Sequence, residues 1–346
     1  MKNQLLLIYA MVCACTVMAQ NKTYNFTNKT VFTKTGSGTI TKLQVYMPVP
    51  QTNEYQSIDN LTYSDGDIVE DKNYADKFLY AEKSSMPSNP WELEMTFNIT
   101  PKPIKIDFSK ITEIKEYDKN STAYKRHLGD RGEYIVTSNP YIKETGDKLW
   151  SESANVLEYA RKCYEYVATN FKYINGSWRT LAKILEIKGG ECGDFSTVVV
   201  NLLRYKGIPS RHNICVRLDN GYHVWVDFYL EGYGWIPLDA TYKHDNPNGD
   251  YFGRYDGDCI VVAQDMFYDV NGNNLEICQT YNYWYWANGS VSLSGKHITK
   301  NNGITGVESI PLSETVIAPM YNLKGQKVDS SYKGIIISNG KKYVAK

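Results

Sequence analysis

The chain has no net charge: 38 Lys and Arg balance 38 Asp and Glu across 346 residues, with His counted as neutral. It also has no run of Lys and Arg. A partner bound by neutralising phosphates needs a basic patch, so nucleic acid is not an expected partner. No Cys-x-x-Cys and no His-x-x-x-His pair occurs, which removes the usual ligand spacing of a structural zinc site. Beyond the first twenty residues, no segment is long and apolar enough to predict a membrane-spanning helix. Internal repeats and low-complexity tracts are missing too. The stretch Asp265 to Asn274 is acidic and contains glycine, but its spacing is wrong for an EF-hand calcium loop.

What remains is the composition of a folded globular protein, 42% hydrophobic and 22% charged. Tyrosine is frequent, with 29 residues; its apolar ring and polar tip suit strands and binding surfaces. The first 19 residues predict a secretory signal peptide. Lys2 supplies the positive start, Leu5 to Val12 the apolar run, and Val17-Met18-Ala19 a small-residue cleavage site. A rival reading takes Val12-Cys13-Ala14-Cys15 as a lipobox that would lipidate Cys15; cleavage after Ala19 is preferred. Of the seven cysteines, Cys13 and Cys15 leave with the leader, and Cys163, Cys192, Cys215, Cys259 and Cys278 remain. An odd number leaves at least one thiol unpaired or intermolecular, and Cys259 with Cys278 is the pair nearest in sequence.

Residues 20 to about 115 predict an all-β domain. Thr39 to Tyr46 and Trp91 to Phe97 alternate with strand period, and Asp65-Gly66 and Pro87 to Pro90 mark turns. Residues 120 to 290 read as a mixed region. Val156, Leu157, Ala160, Tyr164, Val167 and Ala168 set a helix over Ser153 to Thr169. A shorter helix is expected over Trp178 to Ile187, and a third from about Gly193 to Lys206, where Gly207 and Pro209 stop it. Ile214 to Leu218 and Tyr222 to Leu230 form a hairpin about Asp219-Asn220-Gly221, and Trp235 to Asp239 returns as a further strand. In Tyr222 to Leu230 the even positions Val224, Val226, Phe228 and Leu230 are all apolar, so they face the core and His223 points away from it. Asn301 to Thr305 reads as a linker, and 305–346 as a small β tail.

One constellation carries chemistry. Cys192 follows Gly189-Gly190 and stands where the third helix begins. A helix N-terminus favours a thiolate, and its free N–H groups can hold a developing oxyanion. A base must reach the sulfur and a third group must orient that base. His223 lies on the strand after the helix and Asp239 ends the next, so adjacent antiparallel strands would set them side by side. Arg211 is expected in a structural ion pair, Trp225 and Trp235 in packing, and His212 and His244 at the surface.

These segments resemble the bacterial transglutaminase-like superfamily. Gly190-Glu191-Cys192-Gly193-Asp194 matches its Gly-x-Cys before a helix, and Gly207-Ile208-Pro209-Ser210-Arg211 its Gly-Ile-Pro-x-Arg. Tyr222-His223-Val224-Trp225 matches the His-x-Trp strand, and Gly234-Trp235-Ile236-Pro237-Leu238-Asp239-Ala240-Thr241 the closing motif. The resemblance covers about residues 150 to 245. It departs at Asp227, where Glu is commoner, and at Ala240, where Pro is frequent. It implies an α+β fold: a papain-like transglutaminase core of helices packed on an antiparallel sheet, preceded by the all-β domain and followed by the β tail. It implies Cys192 as nucleophile, His223 as base and Asp239 as orienting acid, acting on a protein or peptide substrate without metal or cofactor. The family's side-chain contributor to the oxyanion hole lies upstream of the Cys; Tyr173 and Trp178 are the candidates. The tail, with Tyr321 to Val328, Lys333 to Ile337 and Gly340 to Lys342, resembles the C-terminal sorting tails of Bacteroidota proteins. An exported protein at the cell surface, outside the cell or in the periplasm is therefore expected. Hydrolysis of an amide or peptide bond through a thioester is the leading activity. Acyl transfer to an amine, or a scaffold that keeps the fold without turnover, are the alternatives.

Overall fold

The computed structural model describes residues 22–305 and 320–345, apart from 73–75, 177, 220, 277–279, 330 and 339–340. The predicted signal peptide and Cys278 lie outside the described residues.

The N-terminal region is two antiparallel sheets around one core. Its strands are β1 (Thr23–Thr35), β2 (Thr39–Val49), β3 (Gln56–Tyr63), β4 (Asp67–Glu70), β5 (Lys77–Lys83) and β6 (Trp91–Pro101). The alternation read from Trp91 onward is real: Trp91, Leu93, Met95, Phe97 and Ile99 point inward and are buried. Phe26 and Phe32 on β1, Leu43 and Val45 on β2, and Phe78 and Leu79 on β5 share that core.

The next segment builds the α+β core. Helix α1 (Pro140–Ser151) is capped by Asn139, and α2 (Val156–Asn170) by Asn155. The expected helix at Trp178 starts later, as α3 (Leu181–Ile187), because Thr180 is its N-cap. Helix α4 (Cys192–Tyr205) is almost wholly buried. A four-stranded antiparallel sheet follows from β7 (Ser210–Arg217), β8 (Tyr222–Leu230), β9 (Gly234–Leu238) and β10 (Cys259–Ala263), in the order β9-β8-β7-β10. The short helix α5 (Ala240–Asp245) sits between β9 and β10 in the chain.

The even face of β8 is covered in two parts. Val226, Phe228 and Leu230 pack with Phe195, Val198 and Val199 of α4, whereas Val224 joins the core of the N-terminal sheets with Ile214, Val216 and Ile260. The odd face is not open either. Tyr55 from the N-terminal region covers Cys215, Trp225, Tyr255 and Cys259. A sheet buried on both faces also explains why His212, expected at the surface, is fully buried on β7. His244 is half-buried, its Nδ1 2.9 Å from the carbonyl oxygen of Ala168.

The chain then returns to the N-terminal sheets. Strand β11 (Asn282–Asn288) pairs with β2, and β12 (Ser292–Thr305) pairs with β1 from Thr35↔Ser292 to Thr23↔Thr305. The sheet orders are β12-β1-β6-β3 and β11-β2-β5-β4. Asn301 to Thr305 is therefore strand and not linker, and the expected boundary at residue 290 falls within the N-terminal unit. Alternation along one segment cannot show which distant strand will pair with it. The tail forms its own four-stranded sheet from Met320–Asn322, Lys327–Val328, Gly334–Ser338 and Lys341–Ala345.

Candidate active site

Cys192 is the first residue of α4, buried at 5% exposure, and a free thiol. Two carboxylates build the turn before it. Asp194 accepts a hydrogen bond from the Glu191 backbone N–H at 2.9 Å, the reciprocal half of a capping box. Asp194 is also clamped by Arg179, whose Nη1 lies 2.6 Å from Oδ2 and whose backbone N–H lies 3.2 Å from Oδ1. Burial pushes the Asp194 carboxyl upward, opposed by those N–H groups and the guanidinium. Gly190 leaves room for this carboxylate: a Cβ there would sit 2.2 Å from Asp194 Oδ2. The Glu191 side chain accepts from Gly176 N–H at 2.7 Å, and Arg179 Nη2 donates to the carbonyls of Ile174 and Asn175. The loop before α3 is thus fastened to the start of α4. The sequence places Asp194 only within the Gly-x-Cys segment, with no role of its own, and does not single out Arg179. The Glu191–Asp194 spacing at a helix start was the available signal.

His223 is 5% exposed, and its Nε2 lies 2.6 Å from Asp239 Oδ2. The register differs from the expected side-by-side placement. Strand β9 ends at Leu238 opposite Val226, so Asp239 lies past the paired part of the strands and reaches His223 across the open end. The His223 ring stacks on Tyr242, with centroids 4.5 Å apart and planes 8° apart. With Nε2 on Asp239, Nδ1 is the ring nitrogen left for the thiol, and the Cys192 sulfur is near enough to act on the charge of this imidazole. Burial disfavours the imidazolium, but the Asp239 carboxylate and the Cys192 sulfur outweigh it and raise the His223 pKa well above 6.5.

Asp239 holds a second bond. Its Oδ1 accepts from the Tyr242 backbone N–H at 2.9 Å, which makes it the N-cap of α5. Helix capping and contact with His223 thus coexist on the two oxygens of one carboxylate.

The two upstream candidates differ. Tyr173 is 41% exposed, and its phenol is raised to about 12 by burial first and by Cys192 second. Trp178 lies against Gly193, where an added Cβ would meet its ring at 3.1 Å. Its Nε1 is buried with no hydrogen-bond partner among the described residues.

Behind the site, Asp227 accepts from Arg211 Nε and Nη2 at 3.1 and 3.0 Å and from Tyr55 Oη, and Arg211 also pairs with Glu54. Arg211 is thus in the ion pair expected of it, and its guanidinium lies 4.0 Å over the Trp235 ring. Cys259 is a free thiol beside Cys215, and β10 turns it inward to the cluster around Tyr55; Cys278, the partner nearest to it in sequence, lies outside the described residues. Among the described residues no group of His, Cys, Asp and Glu is arranged to hold a metal ion.

Residues 143–240 match the transglutaminase-like superfamily. The crystal structure of a cysteine protease candidate from Cytophaga hutchinsonii aligns with 81% of this chain and 91% of its own at TM-score 0.55 and 15% identity, a likeness of fold. An uncharacterised protein of Haemophilus influenzae is 24% identical over 239 residues, 57% of this chain and 63% of that protein. The uncharacterised protein YebA of Bacillus subtilis is 23% identical over 165 residues, 40% of this chain and 22% of YebA. The alignments span less than two thirds of either relative. The helices on an antiparallel sheet are thus a transglutaminase-like fold, and the matched segment contains Cys192, His223 and Asp239.

Proposed function

We propose that this protein is an exported cysteine peptidase or amidase with Cys192 as nucleophile, His223 as base and Asp239 as the acid that orients it. The observation behind this reading is a free thiol at the head of a buried helix, together with an imidazole that feels its sulfur and whose Nε2 is held 2.6 Å from a carboxylate. His223 takes the thiol proton, and sulfur attacks the carbonyl carbon of an amide. The oxyanion is held by main-chain N–H groups at the start of α4. Of the two upstream candidates, the unpartnered Nε1 of Trp178 favours that residue as the side-chain donor. Collapse breaks the C–N bond, the leaving amine takes the proton from His223, and a thioester remains on Cys192. Water then attacks the thioester with His223 as base, releasing the carboxylate and the thiol. The leader-like first 19 residues and the sorting-type tail support export to the cell surface or the surrounding medium.

The test uses the full mature chain with peptide and glutamine-donor substrates, with and without an amine acceptor, beside Cys192→Ala. Hydrolysis reduced at least a thousandfold by Cys192→Ala is the expected result. Amine incorporation outpacing hydrolysis would replace the peptidase reading with acyl transfer. No turnover, together with no labelling of Cys192 by a thiol alkylator, would leave a scaffold.

A further inference from the structure

The N-terminal sheets carry a surface that the proposed chemistry does not use. Strand β11 is the edge of its sheet, and on its outer face Trp284 and Trp286 are 36% and 48% exposed. Large exposed indoles in pairs are uncommon on a surface with no partner. Two positions along a strand lie roughly 6.5–7 Å apart on one face, so the two rings form a short row.

Both rings are held in place. Trp284 meets the buried Tyr46 edge-on, with centroids 5.9 Å apart, and the Lys42 ammonium sits 5.3 Å over Trp286. On the other face of β11, the Tyr283 and Tyr285 hydroxyls donate to the Leu293 and Val291 carbonyls at 2.8 and 3.4 Å, pinning the strand. The register places Gln44 opposite Trp284 and Glu82 opposite Gln44, on the same outward face. Gln44 Nε2 donates to Glu82 at 2.8 Å and to Tyr80 Oη at 3.0 Å, while Lys42 Nζ lies 3.3 Å from Glu82. Two flat rings thus stand beside an ordered row of donors and acceptors.

The charges decide what fits. Lys42 and Glu82 cancel, so the face offers no net field to a nucleic acid or an anionic bilayer. Lys and Glu are depleted at the cores of protein–protein interfaces, yet here Lys42 pairs with Trp286 and Glu82 with Gln44 on the same face. A neutral, polyhydroxylated chain matches both features. Its pyranose C–H faces stack on the electron-rich faces of the indoles, and its hydroxyls exchange hydrogen bonds with Gln44, Glu82 and Lys42. We propose that the face of Trp284 and Trp286 is a polysaccharide-binding platform, which holds the protein on a neutral glycan independently of the reaction at Cys192.

The test is retardation of the full mature chain in native gels containing laminarin, xylan or mixed-linkage β-glucan, and co-sedimentation with cellulose and chitin. Binding to at least one of these is expected, with apparent affinity lowered tenfold or more in Trp284→Ala/Trp286→Ala and in Gln44→Ala, which leaves both rings in place. Quenching or blue-shift of wild-type tryptophan fluorescence by the bound glycan gives a readout that needs no variant. Turnover of a small soluble substrate should be unchanged in all variants. No binding to any of the five glycans overturns the proposal. Undiminished binding by the folded double variant also overturns it, as does concentration-dependent self-association lost in that variant with no glycan retained.

Discussion

Asp239 gives one carboxylate oxygen to His223 Nε2 and the other to the backbone N–H of Tyr242. One side chain therefore orients the proposed base and caps the helix that carries Tyr242, whose ring stacks on the same imidazole. The two roles separate by substitution. In Asp239→Asn the cap survives, because Asn caps about as well as Asp, but the negative partner of the imidazolium is gone. Turnover should fall by about a hundredfold to ten-thousandfold, and the melting temperature should fall less than in Asp239→Ala. Asp239→Ala should lose the same activity and about 1 kcal/mol of stability besides. Equal melting temperatures for the two variants would contradict the capping role.

Histidines give the pH dependence two opposite signs. His212 is fully buried, with Nδ1 unpartnered among the described residues, and burial pushes its pKa down to about 3. The unfolded chain takes up a proton near pH 6.5 that the folded protein refuses. The stability held by neutral His212 is complete above pH 6.5 and is lost as pH falls toward about 3. Urea denaturation at pH 7 and pH 5 should show His212→Asn losing about 1–2 kcal/mol less than wild type across that interval. His223 acts in the other direction. Its folded pKa is raised, so its contribution is complete below pH 6.5 and is lost as pH rises through the folded value. His223→Gln should flatten the stability profile on the alkaline side.

Arg211 and Asp227 tie the β8 strand to Tyr55 and Glu54 of the N-terminal region. Both are buried, so removing one partner strands the other charge. Arg211→Met should cost about 3–5 kcal/mol in chemical denaturation, and Arg211→Met/Asp227→Leu should regain most of it. A double variant as unstable as the single would mean that packing around Tyr55, and not charge, sets the cost.

Gly190→Ala places a methyl group 2.2 Å from Asp194 Oδ2. The carboxylate must leave the Glu191 N–H or the Arg179 guanidinium, and the start of α4 shifts with it. Alkylation of Cys192 by iodoacetamide should change severalfold. Gly325→Ala, in a turn of the C-terminal sheet where an added Cβ meets nothing within 4 Å, should leave that rate alone.

Much of this was legible in the chain and some was not, for definable reasons. Helix α4 announced itself because Phe195, Val198, Val199, Leu202 and Leu203 recur at helical spacing and all are buried. The strands β7 and β8 followed from alternation and a strong turn. The meeting of His223 and Asp239 was anticipated, but by the wrong route: register does not align them, and the contact uses the open end of β9. The burial of His212 was invisible because a polar residue on a strand gives no sign that both faces of its sheet are covered. The return of β11 and β12 was missed because a strand's period does not encode its partner when that partner lies more than two hundred residues earlier.

That return makes the α+β core a guest. It enters after Pro101 at the end of β6 and leaves before Asn282 at the start of β11, two strands of one closed host. Thr23 and Thr305 are paired neighbours, so the outer ends of the host emerge at a single point, and the four-stranded C-terminal sheet follows in the chain. The host could be reopened elsewhere and its ends joined without disturbing the guest. The guest, cut out alone at residues 120–290, would carry away β11 as a strand with no sheet and lose Tyr55 from behind its Trp225.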